Sequence, residues 1–455
     1  MRLGDVSFWY ADMGLPQTRR PALTGEAQAD VAIIGAGYTG LWTAYYLKQA
    51  RPDLRVVVLE KHFAGFGASG RNGGWLTGSF AWNHETYARD RGREAVLAMV
   101  EAMNGTVDEV IRVAEAEGID ADIRRTDELL IATNAAQMKR VEDEVAHRQH
   151  WGEAERVRLI GPEETRARLR IPGALGAMVI SGVARVQPAK LARGLAEAVE
   201  RLGVTIHEET EVTAIARGRV TTARGTVSAP VILRCTEGFT ATLPGLKRDW
   251  LPLNSAQIVT EPLPQAIWDQ IGWDGHEVVA DAAHTICYCQ RTREGRIAVG
   301  GRGVPYRFGS AIDSGGEPDP VTVERLLGIL RKHFPAAAGA RIDHAWCGVL
   351  AVPRDWCAAV GYQDGMGFAG GYVGVGVSTT NLAGRTLADL ALGRQTGLTG
   401  LPWVNRAVRK WEPEPLRWLA LRGMSALMAA SDREEERTGR ESRLATVGRW
   451  VTGRD

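Results

Sequence analysis

The sequence predicts an α/β protein: a parallel-sheet domain interleaved with a mixed, antiparallel-sheet domain, followed by a helical tail. Three observations predict it. Residues 30–74 read as strand, glycine turn, helix, strand and acid. Helix and strand patterns return at residues 181–240 and again after residue 345. Between those pieces, residues 252–261, 285–290 and 296–299 read as strands of an antiparallel sheet.

Residues 31–34 (VAII) form the first apolar strand, and Gly35-Ala36-Gly37-Tyr38-Thr39-Gly40 follows as a GxGxxG turn. Good helix formers fill residues 41–50, and a β-branched run at 56–59 ends in Glu60. Each part has a reason in a Rossmann-type dinucleotide site. Gly35 permits the tight turn, Gly37 lets the backbone approach a pyrophosphate, and Gly40 lets helix and strand pack closely. The helix N-terminus, at Tyr38 and Thr39, offers N–H groups and partial positive charge to phosphates. Glu60 stands 20 residues after Gly40, where a carboxylate accepts hydrogen bonds from ribose hydroxyls.

Residues 61–74 (KHFAGFGASGRNGG) hold five glycines, one serine and one arginine. Such a loop suits backbone lying against a flat, extended cofactor. Lys61, Gly67, Ala68, Ser69, Arg71, Asn72, Gly73 and Gly74 are the candidate contacts, and a flexible surface loop is the alternative. With these residues the sequence resembles the D-amino-acid oxidase superfamily of FAD-dependent oxidoreductases. The GASGRNGG wording is most similar to the branch containing gamma-glutamylputrescine oxidoreductase.

The resemblance spans most of the chain and implies FAD as the cofactor. It implies adenine-side backbone contact near Val212 and a turn closing over the pyrophosphate at Thr236 and Gly238. Glu237 departs from the small or neutral residue expected there, and no contact is assigned to it. The resemblance also puts Gly371, Tyr372, Val373, Gly374, Val375, Gly376 and Val377 at the pyrimidine end of the flavin. There a helix starting near Thr379 stabilises negative charge on the reduced ring. Residues 365–370 (GMGFAG) also fit GxGxxG, but no helix follows Gly370, so a second nucleotide site is rejected.

The expected division is a cofactor domain of residues 28–80, 181–240 and 345–400, a substrate domain of 81–180 and 241–344, and a helical tail of 401–455. Residues 1–28 read as an arm packed across the surface. The tail reads as a helix packed on the domain, with an interfacial membrane helix as the alternative.

The implied activity is oxidation of a CH–NH or CH–NH2 bond of a small amine or amino acid by hydride transfer to flavin N5. O2 or another acceptor then reoxidises the cofactor. A dehydrogenase of a 2-hydroxy acid or polyol phosphate is one alternative, and an electron-transferring flavoprotein subunit is another. Arg71 is a candidate for the flavin N5 edge or a substrate anion, with a phosphate or structural contact as the other reading. Arg302 is a candidate for a substrate anion, against a solvated turn. Tyr288 and Trp75 suit an aromatic pocket for an amine cation, against core packing. Cys347 matches by position a cysteine that bonds covalently to flavin in sarcosine-oxidase-like relatives. Non-covalent FAD is the expectation here, with an inert packing thiol at Cys347.

Composition fits this reading. Of 455 residues, 45% are hydrophobic and 24% charged, as in ordinary globular chains, and the formal net charge is +1. That balance gives no sign of a nucleic-acid partner. Five cysteines without regular spacing argue against a disulfide framework or a zinc site and for a reducing, cytoplasmic compartment. No run reaches the ~18 apolar residues of a membrane helix.

Overall fold

The computed structural model describes residues 1–80, 83–301 and 306–445. Its parallel sheet has six strands in the order Ala359–Gln363, Met366–Gly370, Val231–Arg234, Val31–Ile34, Val56–Leu59 and Thr205–His207. All neighbours are parallel except the first pair, which is antiparallel. Strand alternation divides the apolar residues between two layers. Val31 and Ile33 pack into a core shared with the helices Tyr38–Ala50, Arg93–Ala116, Pro188–Arg201 and Gly376–Ala391. Ala32 and Ile34 face the other way, onto Val212, Val220 and Val227. That second face is covered by a four-stranded sheet, made by Gly25–Gln28 and the three strands from Val212 to Ser228.

The larger sheet has ten strands, and its centre is built from Ile342–Val352, Leu251–Thr260, Ile297–Gly301, Cys287–Arg291, Val278–Asp281, Arg124–Ala132 and Gly176–Arg185. The helix Pro320–His333 covers one face through Val323, Leu326 and Leu330, which pack on Val279, Cys287, Cys289 and Val299. The opposite face looks toward the carboxyl ends of the parallel strands.

Several expectations change. The stretch from Ala345 onward, expected to open the last piece of the cofactor domain, belongs to the eleven-residue strand Ile342–Val352 of the large sheet, paired along its length with Leu251–Thr260. Its apolar residues pack on both faces, so its sequence carries no alternation that would assign it to a sheet. Helical patterning from residue 84 to 116 breaks at Gly92, whose φ of +83° ends one helix and starts another. The GxGxxG-like residues 365–370 lie in and beside the strand Met366–Gly370, which is paired on both sides in the parallel sheet.

The N-terminal segment is no surface arm. Its helix Phe8–Met13 buries Phe8, Trp9 and Tyr10, and Ser7 Oγ and Trp9 Nε1 donate to the carbonyls of Gly70 and Asn72 at 2.7 and 2.8 Å. In the tail, Trp411 is buried and donates to Val352 O at 2.7 Å, and the helix Leu416–Thr438 follows. Among the described residues no helix is long and apolar enough to cross a membrane.

Candidate active site

A cavity of about 1200 Å³ runs between the carboxyl ends of the parallel strands and the open face of the large sheet. Three parallel neighbours end side by side there, at Ile34, Leu59 and Arg234. The first turn is built from close approaches. Gly35 has φ +100°, and a Cβ on it would lie 2.6 Å from Cys235 O. A Cβ on Gly40 would lie 2.0 Å from Gly35 O, so helix and turn touch backbone to backbone. Gly37 is the helix N-cap and has no side-chain cap. A Cβ there would meet only Ser69 Oγ, at 3.0 Å, on the cavity wall.

Glu60 fixes this turn as well as bordering the cavity. Its two carboxylate oxygens accept the N–H groups of Ala36 and His62, both at 2.9 Å. Burial pushes its carboxyl above the ordinary range, against these hydrogen bonds. Lys61 pairs with Glu211 at the exposed rim, 2.7 Å away.

The second glycine-rich segment is a short helical turn, Ala68–Gly70, tied to the first by Ser69 Oγ, which accepts the Tyr38 N–H at 2.8 Å. Arg71 reaches the cavity wall, yet its guanidinium is committed to backbone. It donates to Phe66 O at 2.8 Å, Cys347 O at 3.3 Å and Ser314 O at 2.8 Å, and lies over the Phe66 ring. Burial lowers its pKa to about 10. This is a clamp between the loop and the large sheet, the structural one of the two readings given to Arg71.

The third segment carries an unexpected link. Glu237, to which no contact was assigned, is half-buried at φ +42° and accepts the N–H groups of Gly371 and Tyr372 at 3.2 and 3.3 Å. Burial raises its pKa to about 7, against the pull of those N–H groups. It holds the loop that leads to the helix Gly376–Ala391, whose N-cap Val375 has no side-chain partner. Tyr372 Oη in turn bonds Thr39 Oγ1 at 2.9 Å, so this loop is tied to the first glycine turn. The only sequence signal for the Glu237 link was an acid where a neutral residue was expected.

Register settles which side chains roof the cavity. Gln257, Gly300, Tyr288, Ala280, Leu130 and Met178 are direct neighbours across five strand pairs, so all point to one face. Gly300 leaves room for the Tyr288 ring, whose atoms a Cβ would meet at 2.2 Å. Tyr288 also packs on Gly73, lies edge-on to Trp75 with centroids 6.2 Å apart, and bonds Ser255 Oγ at 3.3 Å. Gln257 donates to Arg71 O at 2.6 Å, while its buried Oε1 has no partner among the described residues.

Cys347 pairs with Ala256 and sits one residue out of phase with Trp346, the partner of Gln257. Its side chain belongs to the face covered by Pro320–His333, its thiol reaches Glu317 O at 3.5 Å, and burial pushes it up to about 11. Cys347 is not on the cavity wall.

Of the other sequence candidates, Tyr38, Thr39, Gly67, Ala68, Asn72, Gly73, Val212, Thr236, Tyr372, Gly374, Val375, Gly376 and Val377 border the cavity. Gly40, Gly74, Gly238, Gly371 and Val373 stand behind the wall: Gly74 is packed against Val186 O and Gly238 against Val349. Arg302 lies outside the described residues. Sequence reasoning missed the wall made by Thr77, Glu128, Met178 and Arg148. These come from two strands, a helix and the loop after Leu76, and share no local motif.

The profile of the family described as FAD dependent oxidoreductase matches residues 30–390. The chain belongs to this family. Gamma-glutamylputrescine oxidoreductase of Escherichia coli is 30% identical over 396 residues, covering 85% of this chain and 89% of that one. Glycine oxidase of Bacillus licheniformis is 24% identical over 377 residues, 80% of this chain and 93% of its own. The crystal structure of glycine oxidase from Geobacillus kaustophilus superposes with a TM-score of 0.68 at 22% identity, over 84% of this chain and all 100% of that one. This flavin oxidoreductase has a cavity that fits its cofactor. Gly37 and Gly376 present no side chain to it, Gln257 Oε1 has no partner among the described residues, and it is bordered by two helix N-termini whose N-cap residues, Gly37 and Val375, make no side-chain cap.

Proposed function

We propose that this enzyme oxidises the CH–NH or CH–NH2 bond of a small amine or amino acid to an imine, with FAD bound non-covalently. The observation that carries the reading is the continuity of one cavity, from Glu60 and Val212 past Gly374–Val377 to Tyr288 and Glu128. It has room for an extended dinucleotide and, beyond it, a small substrate. The gamma-glutamylputrescine named as the substrate of the Escherichia coli relative supports a nitrogen-bearing substrate over a hydroxy acid. FAD bound there supplies the hydride acceptor.

The chain's own residues bind, orient and exclude water. Gly37 and the helix N-terminus it caps would receive the pyrophosphate, and Glu60 would accept from the ribose. The N–H groups and positive helix end at Gly376 and Val377 border the cavity, where they would stabilise negative charge on a reduced flavin. Tyr288, Trp75, Leu130 and Met178 form a largely apolar roof. The outward orientation of Cys347 supports a dissociable cofactor. We assign the residues around the first glycine turn, residues 204–240 and residues 359–391 to the cofactor domain, and the large sheet to substrate binding. The reducing compartment indicated by the cysteines makes a cytoplasmic enzyme the favoured setting, with O2 or another acceptor closing the cycle.

The test is anaerobic mixing of the holoenzyme with a panel of small amines, amino acids and 2-hydroxy acids. Bleaching of the flavin spectrum by amines or amino acids is the expected result. Bleaching by hydroxy acids alone would overturn the reading.

A further inference from the structure

The face of the large sheet turned away from the cavity brings four metal-ligating side chains together in an apolar setting. Cys287 and Cys289 flank Tyr288 on the strand Cys287–Arg291, so alternation turns both thiols away from the roof that Tyr288 forms. The register that pairs Val279 with Cys289 and Ala280 with Tyr288 brings Asp281 beside Cys287. Asp281 Oδ1 accepts the Cys287 N–H at 3.0 Å. His333, the last residue of the helix Pro320–His333, closes the group from the helix side. Its Nε2 lies 3.4 Å from Asp281 Oδ2, and ligand atoms of Asp281, Cys287 and His333 all lie within 4.8 Å of one another. Cys289 bonds the Cys287 thiol. All four residues are buried, and the two cysteines share a core with Val279, Val299, Leu326 and Leu330. A second cluster, His284, Asp432 and Glu435, already holds a cation, since Arg140 pairs with Glu435 at 2.7 Å. Among the described residues no lysine or arginine pairs with Asp281, whose ion pair is with His333.

We propose that Asp281, Cys287 and His333, with Cys289 as fourth donor, form a structural site for a divalent cation of the zinc type. The site is independent of the flavin cavity and of the amine-oxidising reading. Its donor set decides the metal: thiolate and imidazole beside one carboxylate suit zinc, whereas magnesium and calcium take oxygen ligands. Four protein donors leave no open position, which makes the site structural rather than catalytic. Asp281 is held toward it by the Cys287 N–H, an outer-shell bond of the kind that orients metal ligands. Cys289 lies outside the close triplet and joins it by a change of side-chain rotamer. In the metal-free chain the proton on His333 supplies the positive charge beside Asp281. Metal binding expels that proton and those of the thiols, and the cation takes its place. The bound metal ties two strands to a helix and braces Tyr288, because both of its chain neighbours are ligands. Sequence spacing carries no sign of the site, since its donors meet only through strand pairing and helix packing.

The site is closed to solvent, so the metal has to be present while the chain folds. Cells are therefore grown with added zinc or cobalt(II), and the holoenzyme is purified over a chelating resin that strips loosely held ions. Elemental analysis of the wild type is expected to find about one zinc ion per chain. The cobalt form is expected to show thiolate-to-metal absorption and the long-wavelength bands of a tetrahedral site, which lie beyond those of oxidised flavin. Cys287→Ser and Cys289→Ser are each expected to cut the retained metal by about tenfold or more, at least the worth of an outer-shell partner. Metal kept undiminished in both variants would place it elsewhere and overturn the proposal. A wild type that retains no zinc, or a cobalt form without thiolate absorption, would overturn it too, and these two readings stand even where the variants fail to fold.

Discussion

Ser69 Oγ accepts the backbone N–H of Tyr38 at 2.8 Å, joining the loop that follows the second strand to the first residue of the dinucleotide helix. Two glycine-rich segments that are separate in sequence are thereby one wall. Ser69→Ala is expected to leave the fold intact and weaken FAD binding by about 3- to 10-fold, the worth of one lost hydrogen bond of about 1 kcal/mol. Titration of apoprotein with FAD, followed by flavin fluorescence, measures it.

Gly37 and Gly40 separate binding from folding. A Cβ at position 37 faces Ser69 at 3.0 Å on the cavity wall, whereas one at position 40 would lie 2.0 Å from Gly35 O. Gly37→Ala is expected to cost affinity for FAD with little change in apoprotein stability. Gly40→Ala is expected to destabilise the apoprotein by about 1–3 kcal/mol through forced overpacking. Thermal unfolding of both apoproteins discriminates the two effects.

These positions were legible because the motif is local: strand, turn, helix and acid occur within 31 consecutive residues, Asp30 to Glu60. The roof was not. Tyr288 was visible only as an aromatic in a strand, and Glu128 not at all, because their shared face comes from pairing strands about 150 residues apart in sequence. The orientation of Cys347, expected as a packing thiol, was equally out of reach of the sequence. Its place in the chain suited a flavin link, but one step of strand phase turns its thiol to the other face. The buried helix Phe8–Met13 was hidden by its length, six residues being too short for a periodic signal.

Arg71 makes three carbonyl contacts while buried. Arg71→Met leaves those carbonyls unpaired and is expected to lower stability by about 2–4 kcal/mol. Denaturant unfolding of the apoprotein reads this directly. A variant that keeps wild-type stability and loses only substrate affinity would return Arg71 to the role of an anion ligand.

Glu237 gives stability a pH dependence of defined sign. Its carboxyl titrates near 4.5 when unfolded and at about 7 when folded. The folded chain therefore holds the extra proton between those values, and this group's contribution falls as pH rises through that window. Glu237→Gln is expected to remove that slope. Comparing the Tm of wild type and variant at about pH 5 and about pH 8 checks it.

On the far face of the large sheet, His333 lies 3.4 Å from Asp281. Burial alone would lower the imidazole, but the Asp281 hydrogen bond and Cys287 hold it up at about 10. The stability it contributes is full below its unfolded value of 6.5 and is lost as pH rises toward 10. Asp281→Asn leaves a buried cation unpaired and is expected to cost about 3–5 kcal/mol, measured by urea unfolding near neutral pH.

The central claim is that the three glycine-rich segments hold a dissociable FAD. The most direct measurement is the visible spectrum of aerobically purified protein before and after acid precipitation. The account predicts a yellow protein whose colour passes into the supernatant as FAD, in wild type and in Cys347→Ser alike. A colourless protein that cannot be reconstituted with FAD, or colour that stays in the pellet and disappears in Cys347→Ser, would contradict it.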